Sequence, residues 1–220
     1  MDEQSSANAS ESFLRGILRP AEGFLAEMEA SARDRHIPVV QPETAALLRF
    51  LVSSAQPSRI LEIGTAIGYS TAVMAGCQAP DGRIDTIELD WDRAAEAESN
   101  FAKLGLASRI RVIRGDARDV LPCLSAPYDM IFVDAAKGQY PEYLESCTGL
   151  VRPGGILVTD NVLFMGLPSS GGDIAHKHRT IAVRLRQYLS DLCRNNEFET
   201  AILPLGDGVA VSCRKTSPLA

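Results

Sequence analysis

From Arg59 onward the chain alternates short apolar runs with stretches of helical period. The runs predict strands near Ile60–Ile63, Ile84–Leu89, Ile110–Ile113, Met130–Val133, Ile156–Thr159, Thr200–Leu203 and Val209–Cys213. Between them the pattern predicts helices at about 69–78, 91–104, 140–150 and 177–195. Before Arg59 the pattern is helical from Glu11 to Arg35, and Pro38 and Pro42 mark a loop. Phe13, Leu14, Ile17 and Leu18 form one stripe and Phe24, Leu25 and Met28 another, with a break at Pro20. Pro42 can open a third helix with Leu47, Leu48, Leu51 and Val52 inward. Residues 1–10 are acidic and polar and read as a disordered tail. Residues 11–220 read as a single domain, with N-terminal helices over 11–55 and a sheet core over 59–215.

Alternation of strand and helix implies right-handed crossovers and a mostly parallel sheet with helices on both faces. The last two strands are an exception. Only Pro204-Leu205-Gly206-Asp207-Gly208 separates them, which is too short for a crossover, so they should form an antiparallel hairpin. Open sheets of this kind bind ligands at the carboxyl ends of their strands. Here those ends read Glu62-Ile63-Gly64, Glu88, Gly115-Asp116, Asp134 and Asp160-Asn161, a concentration of acids around one edge.

The segment ILEIGTAIGYS runs from strand through a glycine turn into a helix. Ala66 stands where the middle glycine of a dinucleotide fingerprint would be, and Glu62 would repel a pyrophosphate. A carboxylate there suits a cationic ligand instead. Glu88, about 20 residues on, is placed for the hydroxyls of a ribose. Asp116 and Ala117 follow the third strand, where they can bond an adenine, although Asp116 has an alternative role as a helix N-cap. A sugar and base without phosphates, beside acids, fit S-adenosylmethionine.

Composition narrows the field. Hydrophobic residues make up 45% and charged residues 23% of 220, the balance of a globular chain. A net charge of −6 disfavours a dedicated DNA binder. No apolar run is long enough for a membrane span. Five scattered cysteines without a C-x-x-C read as buried free thiols in a cytoplasmic protein.

ILEIGTAIGYS, IELD, GDA, FVDAAKGQY, RPGGILVTDNVLFMG and LPLGDGVAVS together resemble the cation-dependent O-methyltransferase family, which includes catechol and caffeoyl-CoA O-methyltransferases. The resemblance spans residues 37 to 214, with the blocks in order. It implies the class I methyltransferase fold, S-adenosylmethionine and a divalent cation, usually Mg2+. It also places Val40, Glu62, Gly64, Thr65, Ser70, Glu88, Ala117 and Asp134 around the cofactor.

Asp134 ends one predicted strand and Asp160-Asn161 end its neighbour, so three oxygen-bearing side chains should converge. Hard oxygen donors without Cys or His favour Mg2+, Mn2+ or Ca2+ over zinc, and the resembling family holds its metal at these positions. Methyl transfer requires the acceptor hydroxyl to lose its proton. Lys137, three residues past Asp134, is the candidate base, and the resemblance puts the family's catalytic lysine there.

Chelation requires a hydroxyl beside a second oxygen, which catechols and 5-hydroxyuridine both supply. The stretch 174–190 carries Lys177, Arg179, Arg184 and Arg186 with His176 and His178 and no acid, a candidate phosphate contact. Arg15, Arg19, Arg109, Arg111, Arg114 and Arg118 could extend it. VDAAKGQY, DNVLFMG and HKHR look most like the bacterial branch that methylates 5-hydroxyuridine at the tRNA wobble position. The expected acceptor is therefore that nucleotide in the tRNA anticodon loop. The alternative is a small catechol-like or caffeoyl-CoA-like molecule. Met165 departs from the tRNA branch, where a basic residue is expected. A non-catalytic interaction protein on the same fold would have lost Lys137 or a metal ligand, and neither is missing. A homodimer is expected, with the Phe13–Leu18 stripe set either on the partner or over the chain's own site.

Overall fold

The computed structural model describes residues 13–124, 127–169 and 175–216. The tail expected at 1–10 lies outside the described residues. The chain forms α1 (helical residues 13–17), α2 (Phe24–Asp34), α3 (Pro42–Ala55), β1 (Arg59–Ile63), α4 (Tyr69–Cys77), β2 (Arg83–Glu88), α5 (Trp91–Lys103) and β3 (Ile110–Arg114). It continues through α6 (Ala117–Val120), β4 (Tyr128–Val133), α7 (Tyr140–Leu150), β5 (Val151–Thr159), α8 (His176–Arg194), β6 (Phe198–Leu203) and β7 (Val209–Arg214).

The seven strands lie in the order β3-β2-β1-β4-β5-β7-β6. Strands β3 to β5 pair in parallel, and β7 runs antiparallel to both β5 and β6. The expected hairpin is present, and it seats its second strand inside the sheet and its first at the edge. The winding direction reverses between β1 and β4, the place where open α/β sheets leave a crevice at their carboxyl ends.

Both faces of the sheet are covered, which is why the strands read as continuous apolar runs rather than alternating ones. Ile60, Ile84, Met130, Phe132 and Val158 pack with Leu48 and Val52 of α3, Val73 of α4 and Phe101 of α5. Leu61, Ile63, Ile131, Val133 and Leu157 point the other way, against Tyr140 and Leu144 of α7 and Leu185, Tyr188 and Leu192 of α8. The helix starts follow local chemistry. Pro42 opens α3, and the Asp90 carboxylate accepts from the backbone N–H groups of Asp92 and Arg93 to cap α5.

Two expectations need correction. The five cysteines are free, but only Cys147 is buried; Cys123, Cys193 and Cys213 are exposed and Cys77 is half-buried. The runs that carry them are apolar on one side only, and the thiols fall on the other. The strand expected from Ile156 begins at Val151, because Tyr128 pairs with Val151 before a register shift brings Met130 opposite Ile156. Pro153 and two glycines hid this extension from the pattern. No helix among the described residues is long and apolar enough to cross a membrane.

Gly68 sits at φ +85°, and a Cβ there would lie 2.5 Å from the Phe101 ring. Gly68→Ala is expected to cost about 2–3 kcal/mol through strain and overpacking combined. The check is a lower midpoint in urea unfolding with an unchanged slope.

Candidate active site

The turn after β1 is built on a close approach. Gly64 adopts φ +102°, and a Cβ at this position would stand 2.0 Å from the Asp134 carbonyl oxygen. The Asp134 N–H donates to the Ile63 carbonyl at 2.9 Å, locking the ends of β1 and β4 side by side. Only glycine permits that contact, and it brings the β1 turn and the β4 carboxyl end to one crevice.

Glu62, the residue before Ile63, lies wholly inside the protein. Ser70 Oγ donates to its Oε1 at 2.6 Å, and Thr86 Oγ1 donates to Oε2 at 2.6 Å. Thr71 Oγ1 also donates to Oε2. The Thr65 and Thr86 hydroxyls are 2.6 Å apart. Because the Thr86 proton goes to Glu62, Thr65 is the donor in that pair. Burial raises the Glu62 carboxyl to about 7; the three hydroxyl donors oppose the rise and the charge of Asp134 adds to it. Its carboxylate faces the start of α4 rather than open space. Glu62, Thr65 and Ser70 therefore stand behind the glycine turn and fix its shape.

In front of the turn is a cavity of about 790 Å3. Val40, Gly64, Glu88, Asp134, Asp160 and Asn161 line it, together with Lys137. Each oxygen of Glu88 accepts one backbone N–H, from Ala66 at 2.7 Å and Asp90 at 2.9 Å. The carboxylate is thus held rigidly with lone pairs to spare for a diol. Asp116 and Ala117 are not on this wall. Asp116 caps α6 through the Arg118 N–H and pairs with the Arg118 guanidinium at 2.6 Å, which holds its carboxyl below the usual range.

Asp160 ends β5 next to Asp134 at the end of β4, as the parallel pairing requires. Its side chain is 2% exposed as a residue, and Oδ1 accepts the Asn161 N–H at 2.7 Å. Among the described residues no hydrogen bond reaches the Asp134 carboxylate. Burial raises both carboxyls, and repulsion from Asp134 helps push Asp160 to about 7. Lys137 opposes the rise in each. A buried carboxylate, Asp160, beside a half-buried one, Asp134, with an adjacent amide, fits a hard cation. Asn161 takes the left-handed conformation, φ 57°, which asparagine tolerates. Among the described residues no cluster of three or more His, Cys, Asp or Glu is arranged for a metal, so the third protein donor would be the Asn161 amide.

Phe164 and the partners of the basic residues were not part of the sequence reading. The Lys137 ammonium stands 5.0 Å from the centre of the Phe164 ring. Arg184 donates from Nε to the Gly138 carbonyl at 2.9 Å and pairs with Glu142, while Arg186 donates to the Pro168 and Leu167 carbonyls. These two arginines of α8 fasten the loops that carry Lys137 and Phe164. Arg15 reaches the cavity from α1, with Nε 2.7 Å from Glu43 and Nη2 3.3 Å from Gln41. A run of basic residues was visible in the sequence; its loop-fastening carbonyl partners were not.

The doubly wound sheet with an inserted antiparallel strand, its glycine turn and its acidic carboxyl edge define a class I S-adenosylmethionine-dependent methyltransferase fold. The chain belongs to the O-methyltransferase family, whose model matches residues 22–216. It is 32% identical to the catechol O-methyltransferase of Mycobacterium tuberculosis over 96% of this chain and 98% of that protein. A catechol O-methyltransferase of Niastella koreensis is 41% identical over 128 residues, which is 56% of this chain and 58% of that protein. Among solved structures, the O-methyltransferase TomG of Streptomyces achromogenes, involved in tomaymycin synthesis and bound to SAM, superimposes with a TM-score of 0.84. The two are 30% identical over 98% of this chain and all of TomG. The O-methyltransferase of Bacillus cereus in complex with SAH gives a TM-score of 0.82 at 28% identity, over 94% of this chain and 97% of that one.

The Glu62 carboxyl stays neutral in the folded protein up to about pH 7 but ionises near 4.5 once unfolded. Its contribution to stability is therefore complete below about pH 4.5 and lost as the pH rises through about 7. The loss amounts to about 3 kcal/mol for a shift of this size. Glu62→Gln removes the titration. Urea unfolding without divalent cation, at pH 5 and pH 8, should show a smaller loss in the variant than in the wild type.

Proposed function

We propose that this protein transfers the methyl group of S-adenosylmethionine, with Mg2+ or another hard divalent cation, to one of two adjacent oxygens on a catechol-like small molecule. The observation that carries the reading is the pair of carboxylates, half-buried Asp134 and buried Asp160, at neighbouring strand ends beside Lys137 and Asn161. The SAM and SAH in the similar structures support the methyl donor, and the catechol O-methyltransferases among the relatives support the acceptor class.

When bound, S-adenosylmethionine supplies an electrophilic methyl group on a sulfonium, and the cation supplies Lewis acidity to the acceptor hydroxyl. The protein's part is placement. Glu88 accepts the ribose hydroxyls while its own two backbone bonds keep it from turning. Gly64 admits the donor close to the β1 turn, and Val40 closes the opposite wall. Asp134, Asp160 and Asn161 would hold the cation. Lys137 Nζ, in its neutral amine form, takes the acceptor's proton and becomes the ammonium, a role worth about 10²–10⁴-fold in rate. Phe164 lies beside Lys137 and offers a flat face to an aromatic acceptor.

The 5-hydroxyuridine of a tRNA anticodon loop presents the same pair of oxygens and is the second reading. It draws on the basic stretch of α8, where Arg184 is paired with Glu142, and on Arg118 and Arg114, which are paired with Asp116 and Glu98. Those bonds weigh toward the small acceptor.

The test is methyl transfer from labelled S-adenosylmethionine to a catechol panel and, separately, to tRNA carrying 5-hydroxyuridine, each with Mg2+ and with EDTA. Label in catechols that disappears with EDTA is expected. Label only in tRNA would replace the acceptor class, and turnover undiminished by EDTA would remove the cation. Asp160→Ala should abolish turnover while SAH still binds. Lys137→Ala should lower kcat by about 10²–10⁴-fold with SAH affinity nearly unchanged; a wild-type kcat would exclude it as the base.

A further inference from the structure

Two arginines that the sequence set beside the active site, Arg109 and Arg111, lie at the other end of the sheet. Arg59 and Arg83 are the first residues of β1 and β2, Arg109 precedes β3, and Arg111 is its second residue. The active site sits at the last residues of the same strands. Strands of five and six residues put about 17–20 Å between the two ends.

The four arginines surround a cleft of about 610 Å3, with Asp85 as the single acid on its wall among the described residues. Asp85 is already engaged. It accepts from Arg111 Nε at 2.8 Å, from Tyr128 Oη at 2.7 Å and from Arg59 Nη2 at 3.4 Å. Arg83 and Arg109 meet no carboxylate among the described residues. Arg83 Nη1 donates to the Asp81 and Gly82 carbonyls. Arg109 donates to the Gly82 and Ala79 carbonyls and to Gln78 Oε1. The neighbouring acid Asp129 is taken by Arg152 and by the Arg59 N–H. These neutral partners hold the two guanidiniums in place without cancelling their charge, and leave N–H donors on each.

A chain of net charge −6 thus gathers four guanidiniums against one neutralised carboxylate in a single cleft. Guanidinium forks match phosphate oxygens in pairs, and anchored ones lose little freedom on binding. We propose that this cleft is a binding site for a small anion with adjacent phosphate groups, such as the polyphosphate of a nucleotide. It is separate from the methyl-transfer site and independent of the acceptor assigned there.

The probe is sodium tripolyphosphate, titrated calorimetrically into the full chain saturated with SAH. Binding is expected, weakening as salt rises from about 50 to about 200 mM. Arg83→Gln combined with Arg109→Gln should weaken it by about tenfold or more, with SAH affinity unchanged as the check on folding. These arginines also hold turn carbonyls, so the double variant can misfold. Arg111→Gln serves as the second variant: its side chain is 63% exposed and Asp85 keeps Arg59 and Tyr128. It should also weaken binding. No binding by the SAH-saturated wild type, or binding that Arg111→Gln leaves unchanged, would overturn the proposal.

Discussion

A carboxyl group with no access to solvent, Glu62, holds together the elements behind the glycine turn that borders the crevice. It belongs to β1 and accepts hydrogen bonds from the hydroxyls of Ser70 and Thr71 at the start of α4 and of Thr86 on β2. An unpartnered buried carboxylate would cost several kcal/mol, so the hydroxyls are a condition of the fold rather than decoration. Once they are met, the direction in which α4 leaves the sheet is fixed. So is the path of the turn 64–68, and with it the contact between Gly64 and the Asp134 carbonyl. The donor cavity lies in front of that turn because the network stands behind it.

The architecture was legible because its signals are local. Continuous apolar runs marked strands buried on both faces, and a five-residue connection sufficed to reverse β7. The acids of the edge could be listed because they follow directly on those runs. The sequence reading did not separate acids that face the cavity from those that face inward. Glu62 and Glu88 both end apolar strands. One is enclosed by three side-chain hydroxyls, and the other is held by two backbone N–H groups and left open in front. The difference comes from Thr86 and Ser70, more than 20 and only 8 positions away respectively. Nothing in the local pattern says which of them turns inward. Asp116 likewise finds Arg118 two residues on, a pairing that a helix start permits but does not require.

Arginine was the residue least readable from order along the chain. Arg184 and Arg186 are two apart on α8 and look like part of one charged face. One grips the loop after β4 and the other the loop after β5. They hold the loops that bring Lys137 and Phe164 together at the crevice, so part of this stretch does positioning work. Arginine's planar fork suits this, because it can satisfy several carbonyls at loop turns while its stem packs along the helix.

Charge is partly segregated along the strand axis, although Arg15, Arg33, Arg93 and Lys137 also line the cavity at the carboxyl ends. The carboxyl ends collect Glu88, Asp134 and Asp160, and the amino ends collect Arg59, Arg83, Arg109 and Arg111. The acidic end matches a sulfonium donor and would suit a divalent cation, either of which would bring positive charge to Asp134 and Asp160, whose carboxyls burial raises. Filling that end lowers its cost. The basic end is not relieved by this, since the two sets lie about 17–20 Å apart, beyond the screening length of about 8 Å at physiological salt. Each end must therefore find its counter-charge separately. For the acidic end the cavity and its donors supply a place for it. For the basic end the acid on the cleft wall, Asp85, is already shared among two arginines and a tyrosine. The remaining positive charge has to be balanced from solution, by loose counterions or by an anion shaped to the cleft.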